Sequence, residues 1–553
     1  MINKLLHSGW FYIILIIVFT FLGMRALLHP GLFTAHDIWH QVVRLYYYSQ
    51  AIKDGQIPPY WIGQLAKGFG YPLFFFSYHL PWLIAIPFIK IGIDIPNTLK
   101  ILFFLSYLLS GLFMYFFVNN LLKNRLAALL SAILYLWAPY HFLTIFVGAS
   151  MGIVFVFTFL PLLLLGINMI KEENPLGIPI TAIGLAGIIL SHLMHLFFLT
   201  PVFLFFFLAE LAASRNKSIF FQRTFFGLML GIILSAFYLI PSVYYNQFTR
   251  LRQEPRLVNL YKTNFVNLSQ LIYSKWGYGR ITTNAKDGEM SMQIGIAQWI
   301  SVAGAFVLLF LGKLKKATRL LTILALSGFV ISIFLMLDFS LPIWQFVEKF
   351  VILDYPFREL MGATFIGSVL AGILLTSLKG KLQYLVLVLI IFIAVYTNRN
   401  HTKVNLYTNI PIQTYIDSEV TTNTFNEYLP INADKELLNK PYNVIDGKNF
   451  SFSNINRTTN SLSLDLNVKN EGEVSINQFY FPGQTLYLDS KIFKFSVDSG
   501  GRVSFPVTQG VHRVIIKYRE TPLMVISKLL TLLGTLITGV FMFRKKFSAK
   551  WVS

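Results

Sequence analysis

Long apolar runs separated by short polar breaks dominate this chain, and only its last quarter departs from that pattern. The runs Trp10 to Leu28, Asn97 to Val118, Leu126 to Pro139, Gly152 to Ile170, Leu176 to His192 and Leu196 to Leu211 are long enough to read as spanning helices. With Thr224 to Ile240, Ile294 to Leu311, Leu320 to Leu337, Gly362 to Leu378, Leu382 to Tyr396 and Pro522 to Phe543 they predict about twelve crossings. A crossing needs roughly 20 mainly apolar residues. Tyr71 to Gly92 is apolar enough to cross, but Pro81, Pro87, Tyr78 and His79 interrupt it.

Parity decides that segment. If it does not cross, Lys4, Lys123/Arg125, Lys171, Arg215/Lys217/Arg223, Lys313/Lys315/Lys316/Arg319, Lys379/Lys381 and Arg544/Lys545/Lys546 all share one side. That side is the cytoplasm, because short cationic loops resist translocation. Tyr71 to Gly92 is therefore expected as an interfacial or re-entrant hairpin, where prolines are tolerated.

After Asn398 the period changes. Ser461-Leu-Ser-Leu-Asp-Leu-Asn-Val468 and Val511-His-Arg-Val-Ile-Ile-Lys-Tyr518 alternate as half-buried strands do, with turn signals at Phe481-Pro-Gly483 and Asp498-Ser-Gly-Gly501. The fold class expected is a polytopic α-helical membrane protein with a C-terminal extracytoplasmic, antiparallel β-sandwich-like domain. Residues 1–397 form the transmembrane unit with an outer loop at 29–96, 398–520 the outer β-rich domain, and 521–553 the last span and a basic cytoplasmic tail. Asn398 to about Asn439 reads as an extended or partly helical connector. Both termini are expected in the cytoplasm, with the chain in the plasma membrane.

Composition agrees: 55% hydrophobic and 13% charged residues over 553 positions exclude a soluble globular class. The net charge of +21 suggests no nucleic acid, since the cations gather at cytoplasmic loop ends beside anionic headgroups. The absence of cysteine excludes thiol catalysis, disulfides and thiolate metal sites. Trp10 to Leu28 continues through Arg25 without a small-residue cleavage site and is expected to be retained as a helix.

Against this greasy background Asp37 stands out, in His-Asp-Ile-Trp-His just beyond the first apolar run. If a short surface helix starts near Thr34, Asp37, His40 and Arg44 fall at i, i+3 and i+7 on one face. A carboxylate there accepts a hydroxyl proton and a cation holds a phosphate, the minimum for moving a sugar from a lipid phosphate to an alcohol. Simple pairing of Asp37 with Arg44 or His40 is the structural alternative. His36, Asp37 and His40 are also metal-donor types, so a divalent cation and a hydrogen-bonded cluster both remain open.

Other outer-end candidates are His192 and His195, which share a helical face beside Ser191, and His141 after Trp137-Ala-Pro-Tyr140. Asp354-Tyr-Pro-Phe-Arg358 offers an arginine to clamp a phosphate or to snorkel to headgroups. Arg250, Arg252, Arg256 and Arg280, with Trp276-Gly-Tyr-Gly279, fill a large outer loop suited to sugars and phosphates or to a plain amphipathic cover.

Together these pieces resemble a family. His36-Asp37-x-x-His40-x-x-x-Arg44, Gly55-Gln-Ile-Pro58, Gly68-Phe-Gly-Tyr-Pro72, Ser291-Met-Gln-Ile-Gly295, Tyr355-Pro-Phe-Arg358 and Gln478-Phe-Tyr-Phe-Pro-Gly483 are similar to the C-type glycosyltransferase superfold. More closely, they resemble bacterial membrane proteins labelled pyruvoyl-tetrahydropterin-synthase-related. The resemblance implies an inverting transferase that takes a sugar from a polyprenyl-phosphate donor to a surface polymer or lipid-linked acceptor. Asp37 would be general base, and His36, His40, Arg44, His141, His192, His195, Arg280 and Arg358 would bind substrate. The loop Tyr140 to Met151 lacks the second acid that relatives often carry there, which weighs against a metal-dependent version. A non-enzymatic glycan transporter or envelope-assembly scaffold is the rival, although it should place ionisable groups near mid-span.

Overall fold

The computed structural model describes residues 9–254, 257, 259–280, 289–314, 316–421, 426–446 and 449–543. Lys4, Lys315, Arg256 and the basic tail with Arg544, Lys545 and Lys546 lie outside the described residues. Eight helices are long and apolar enough to cross a membrane, and the bent pair Arg125–Leu136 and Pro139–Val147 makes nine if it is one span. Shorter apolar helices, Gly177–His192, Thr200–Ala213 and Ile296–Phe310, occupy three further predicted runs. The chain is thus a multi-pass membrane protein. Leu80–Lys90, at 11 residues, is only about 16 Å long, well short of the roughly 30 Å apolar core.

Burial separates centre from periphery. Met151–Lys171 and Pro356–Thr376 are largely enclosed, whereas Gly380–Asn398 and Pro522–Phe543 turn most of their apolar side chains outward, as lipid-facing helices do. Close packing at the centre depends on small residues: a Cβ on Gly166 would lie 2.4 Å from the Thr181 amide nitrogen of the neighbouring helix. The expected span ending at Pro139 instead bends by 45° and runs on to Val147. Pro139 lacks the amide hydrogen an unbroken helix needs, and Ala138 before it is extended.

The region around Asp37 is held by pairings between distant segments. Strand β1 (Leu32–Phe33) pairs antiparallel with β2 (Tyr407–Thr408). Thr34, expected near the start of the surface helix, instead donates its backbone N–H to the Leu406 carbonyl, and the helix is Ile38–Lys53. The connector is mixed, with a helix at Ile412–Ser418 and a 3-10 turn at Lys435–Asn439.

Beyond it lie β3 (Phe450–Arg457), β4 (Ser461–Val468), β5 (Gly472–Phe479), β6 (Gln484–Leu488), β7 (Lys491–Phe493), β8 (Ser496–Val497), β9 (Arg502–Val507) and β10 (Gly510–Tyr518). They form a five-stranded sheet ordered β3-β4-β10-β6-β7 and a three-stranded sheet ordered β5-β9-β8, both antiparallel. Leu464, Val514 and Leu486 from one sheet and Val474, Ile476 and Phe505 from the other share one apolar cluster.

The early outer loop docks on this β region. The Trp61 ring stacks on Tyr518 and Phe481, and Asp54 accepts bonds from the Thr459 amide and hydroxyl at 2.7 and 2.8 Å. Gly70, at φ +89°, lies so close to Trp61 that a Cβ would meet the ring at 2.0 Å.

Candidate functional site

Asp37 occupies the residue before the helix Ile38–Lys53, and its side chain makes no capping bond to that helix. The backbone is pinned instead by the loop after the bent pair: His36 N–H donates to the Val147 carbonyl at 2.9 Å and Asp37 N–H to Gly148 at 3.0 Å. Ser150 Oγ donates to one carboxylate oxygen at 3.4 Å, and His40 Nδ1 lies 3.6 Å from the other. The Asp37 side chain keeps 23% of its surface exposed, so it sits at a mouth and not in a core.

Further along the same helix, Gln41 ties three elements together. Its Nε2 donates to the Ala149 carbonyl at 2.8 Å, and its Oε1 accepts from the Tyr78 hydroxyl at 2.6 Å. Ala149 has φ +49°, a conformation that needs such support. Arg44 donates from Nε to the Thr421 carbonyl at 2.7 Å and from Nη1 to the Tyr78 hydroxyl at 3.4 Å, both neutral oxygens. Burial disfavours its charge, but Tyr78, Tyr428 and Asp37 outweigh that and move its pKa up. Arg44 and His192 are both half-buried.

A second cluster lies near Arg44. Arg358 Nη2 lies 2.5 Å from Asp354 Oδ2, and Arg358 Nη1 donates to His192 Nε2 at 2.9 Å. Burial pushes the Asp354 carboxyl up, opposed by the Arg358 charge beside it. The His192 and His195 rings meet edge to face at 4.4 Å. Tyr355 lies within electrostatic reach of Asp37, Asp354, Arg358 and Arg280, and His192 within reach of Arg44, which joins the two clusters into one neighbourhood.

Of the expected site residues, the structure therefore groups Asp37, His40, Arg44, His192, His195 and Arg358, with Arg280 exposed at the edge. His36 turns its Nε2 to the Tyr278 carbonyl at 2.9 Å and fastens the large outer loop to the rim. His141 is not brought in: it is fully buried, stacked on Phe157 at 4.1 Å with Nδ1 against the Tyr135 carbonyl. Among the described residues no group of three or more His, Cys, Asp or Glu is placed to hold a metal ion. Sequence reading did not assign Gln41, Tyr78, Ser150 or Tyr428 to the site, although it noted Tyr78 as an interruption of its apolar run. Only Gln41 left a signal, a polar residue one turn beyond Asp37.

No family model matches the chain. A protein of Lactococcus lactis subsp. cremoris (strain MG1363), described only as uncharacterized, is 27% identical over 244 residues, covering 42% of this chain and 39% of that protein. This chain thus matches well under half of that relative's length. Among solved structures, the arabinofuranosyltransferase AftD from Mycobacteria aligns with a TM-score of 0.46 and 10% identity, over 71% of this chain and 27% of that one.

Proposed function

We propose that the protein is a membrane glycosyltransferase that moves a sugar from a polyprenyl-phosphate donor to an extracytoplasmic hydroxyl acceptor. The observation that carries this reading is the nearness of Asp37, a partly exposed carboxylate, to Arg44, whose hydrogen bonds go to neutral oxygens. The acceptor oxygen attacks the anomeric carbon while its proton passes to the Asp37 carboxylate. The bond from that carbon to the phosphate oxygen breaks, and the electron pair leaves with the phosphate. Arg44 and Arg280 hold the developing charge, and direct displacement inverts the anomeric centre.

In this reading the chain crosses about twelve times with both termini in the cytoplasm, and the β sheets form a sandwich that guides a surface polymer or lipid-linked acceptor. The kinship with the pyruvoyl-tetrahydropterin-synthase-related membrane proteins belongs to the same proposal. An interfacial site suits the chemistry, because the polyprenyl tail stays in lipid while the sugar meets water. The test is turnover of polyprenyl-phosphate sugars by the full chain in proteoliposomes. Asp37→Asn is expected to abolish transfer with expression intact, and unchanged turnover would move the reading to a glycan transporter or scaffold.

A further inference from the structure

Resting on the transferase reading, we infer that His192 and His195 form a charge-neutral subsite for hydroxyl groups of the donor's sugar ring. The starting point is the bond from Arg358 Nη1 to His192 Nε2 at 2.9 Å. A guanidinium has only donors, so Nε2 must supply a lone pair and the ring hydrogen of neutral His192 sits on Nδ1. That Nδ1 has no hydrogen-bond partner among the described residues, nor has either nitrogen of His195, which is 0% exposed. Three imidazole nitrogens are thus buried side by side with their capacity unused, a cost that a bound polar group removes.

The chemistry of that group follows from what the cluster offers. Arg358 is already matched by Asp354 at 2.5 Å, and both residues are only 9% exposed, so most of its charge is spent within that pair, although its Nε has no hydrogen-bond partner among the described residues. A phosphate brings acceptors alone. It would compete with Asp354 for Arg358 and face the lone pair of a neutral His195. A sugar carboxylate meets the same repulsion. A hydroxyl both donates and accepts, which matches one N–H on His192 and the donor and acceptor of His195. The position fits the order of groups in the donor, because His192 lies within electrostatic reach of Arg44, the residue assigned to the phosphate. Arg358, expected from sequence as a phosphate clamp, becomes a positioning residue that fixes the His192 tautomer.

The test is direct binding by the full-length protein in lipid–detergent micelles. The probes are farnesyl phosphate, its glucosyl, mannosyl and galactosyl derivatives, and its glucuronosyl derivative. The unaltered protein should bind at least one neutral hexosyl probe about tenfold tighter than farnesyl phosphate, the worth of one or two hydrogen bonds. The glucuronosyl probe should bind no tighter than farnesyl phosphate. His195→Phe should erase the hexosyl advantage and leave farnesyl phosphate within about twofold, while His195→Gln, which keeps a donor and an acceptor, should recover part of it. Equal binding of all probes by the unaltered protein would overturn the subsite alone, without needing a variant to fold. So would His195→Phe weakening farnesyl phosphate as much as the hexosyl probe. Binding of no probe would overturn the transferase reading itself, and the subsite with it.

Discussion

The helix Met151–Lys171 has a charged cluster at each end, and the two are built differently. At its Lys171 end Glu210, 3% exposed, accepts from Asn168 Nδ2 at 3.0 Å and lies 3.4 Å from Lys171. Asn120 closes on Asn168 at 2.6 Å, and Lys123 on Glu172 at 2.7 Å. Every one of these groups has a partner, which is what burial of a charge demands. At its Met151 end the Asp37 carboxylate stays partly exposed and His192 and His195 keep unused nitrogens. The first arrangement fastens helices; the second keeps capacity for something that arrives.

Breaking each end should separate these roles. The largest effect is expected from Asp37→Asn, a loss of about 10³-fold in transfer rate. Its unfolding midpoint should match the unaltered protein, read by turnover and thermal unfolding in proteoliposomes. Glu210→Ala should do the reverse: leaving Lys171 without its buried partner costs about 3 kcal/mol of stability, seen in detergent unfolding, with turnover per folded molecule unchanged.

Smaller changes sharpen the contrast. Arg44→Gln is expected to weaken farnesyl phosphate binding by roughly 30-fold, the worth of a charged hydrogen bond or two, in an equilibrium titration. Gln41→Leu should lower kcat about tenfold with little change in KM, because the Ala149 turn and Tyr78 lose their common anchor while substrate contacts remain. Thr459→Val, far from both ends, should cost about 1 kcal/mol of stability through the lost hydroxyl bonds to Asp54 and from Gln56 and leave kinetics alone.

Much of the helical frame was legible, because spanning runs declare themselves by length: each of the predicted runs holds a helix in the structure. A helix in the loop after the first span was legible too, although it starts at Ile38 and not near Thr34, and Asp37 and His40 do lie together. What remained hidden depends on contacts between distant segments. The loop that pins Asp37 does so mainly with backbone carbonyls, at Val147 and Gly148, which every residue type carries. The surroundings of His141 were hidden for a related reason: a histidine at a helix end reads the same whether it lines a cleft or stacks on Phe157. Asp354 and Arg358, four positions apart, were visible as a pair, yet their sequence does not say that the carboxylate has already taken the guanidinium.

The short ladder between Leu32–Phe33 and Tyr407–Thr408 has a consequence for biosynthesis. The strand leading into Asp37 is made early, but its mate leaves the ribosome hundreds of residues later, along with Thr421, whose carbonyl steadies Arg44. A nascent chain, or one cut short in the connector, therefore carries the acid without its frame. Maturation of the site waits on synthesis of the connector.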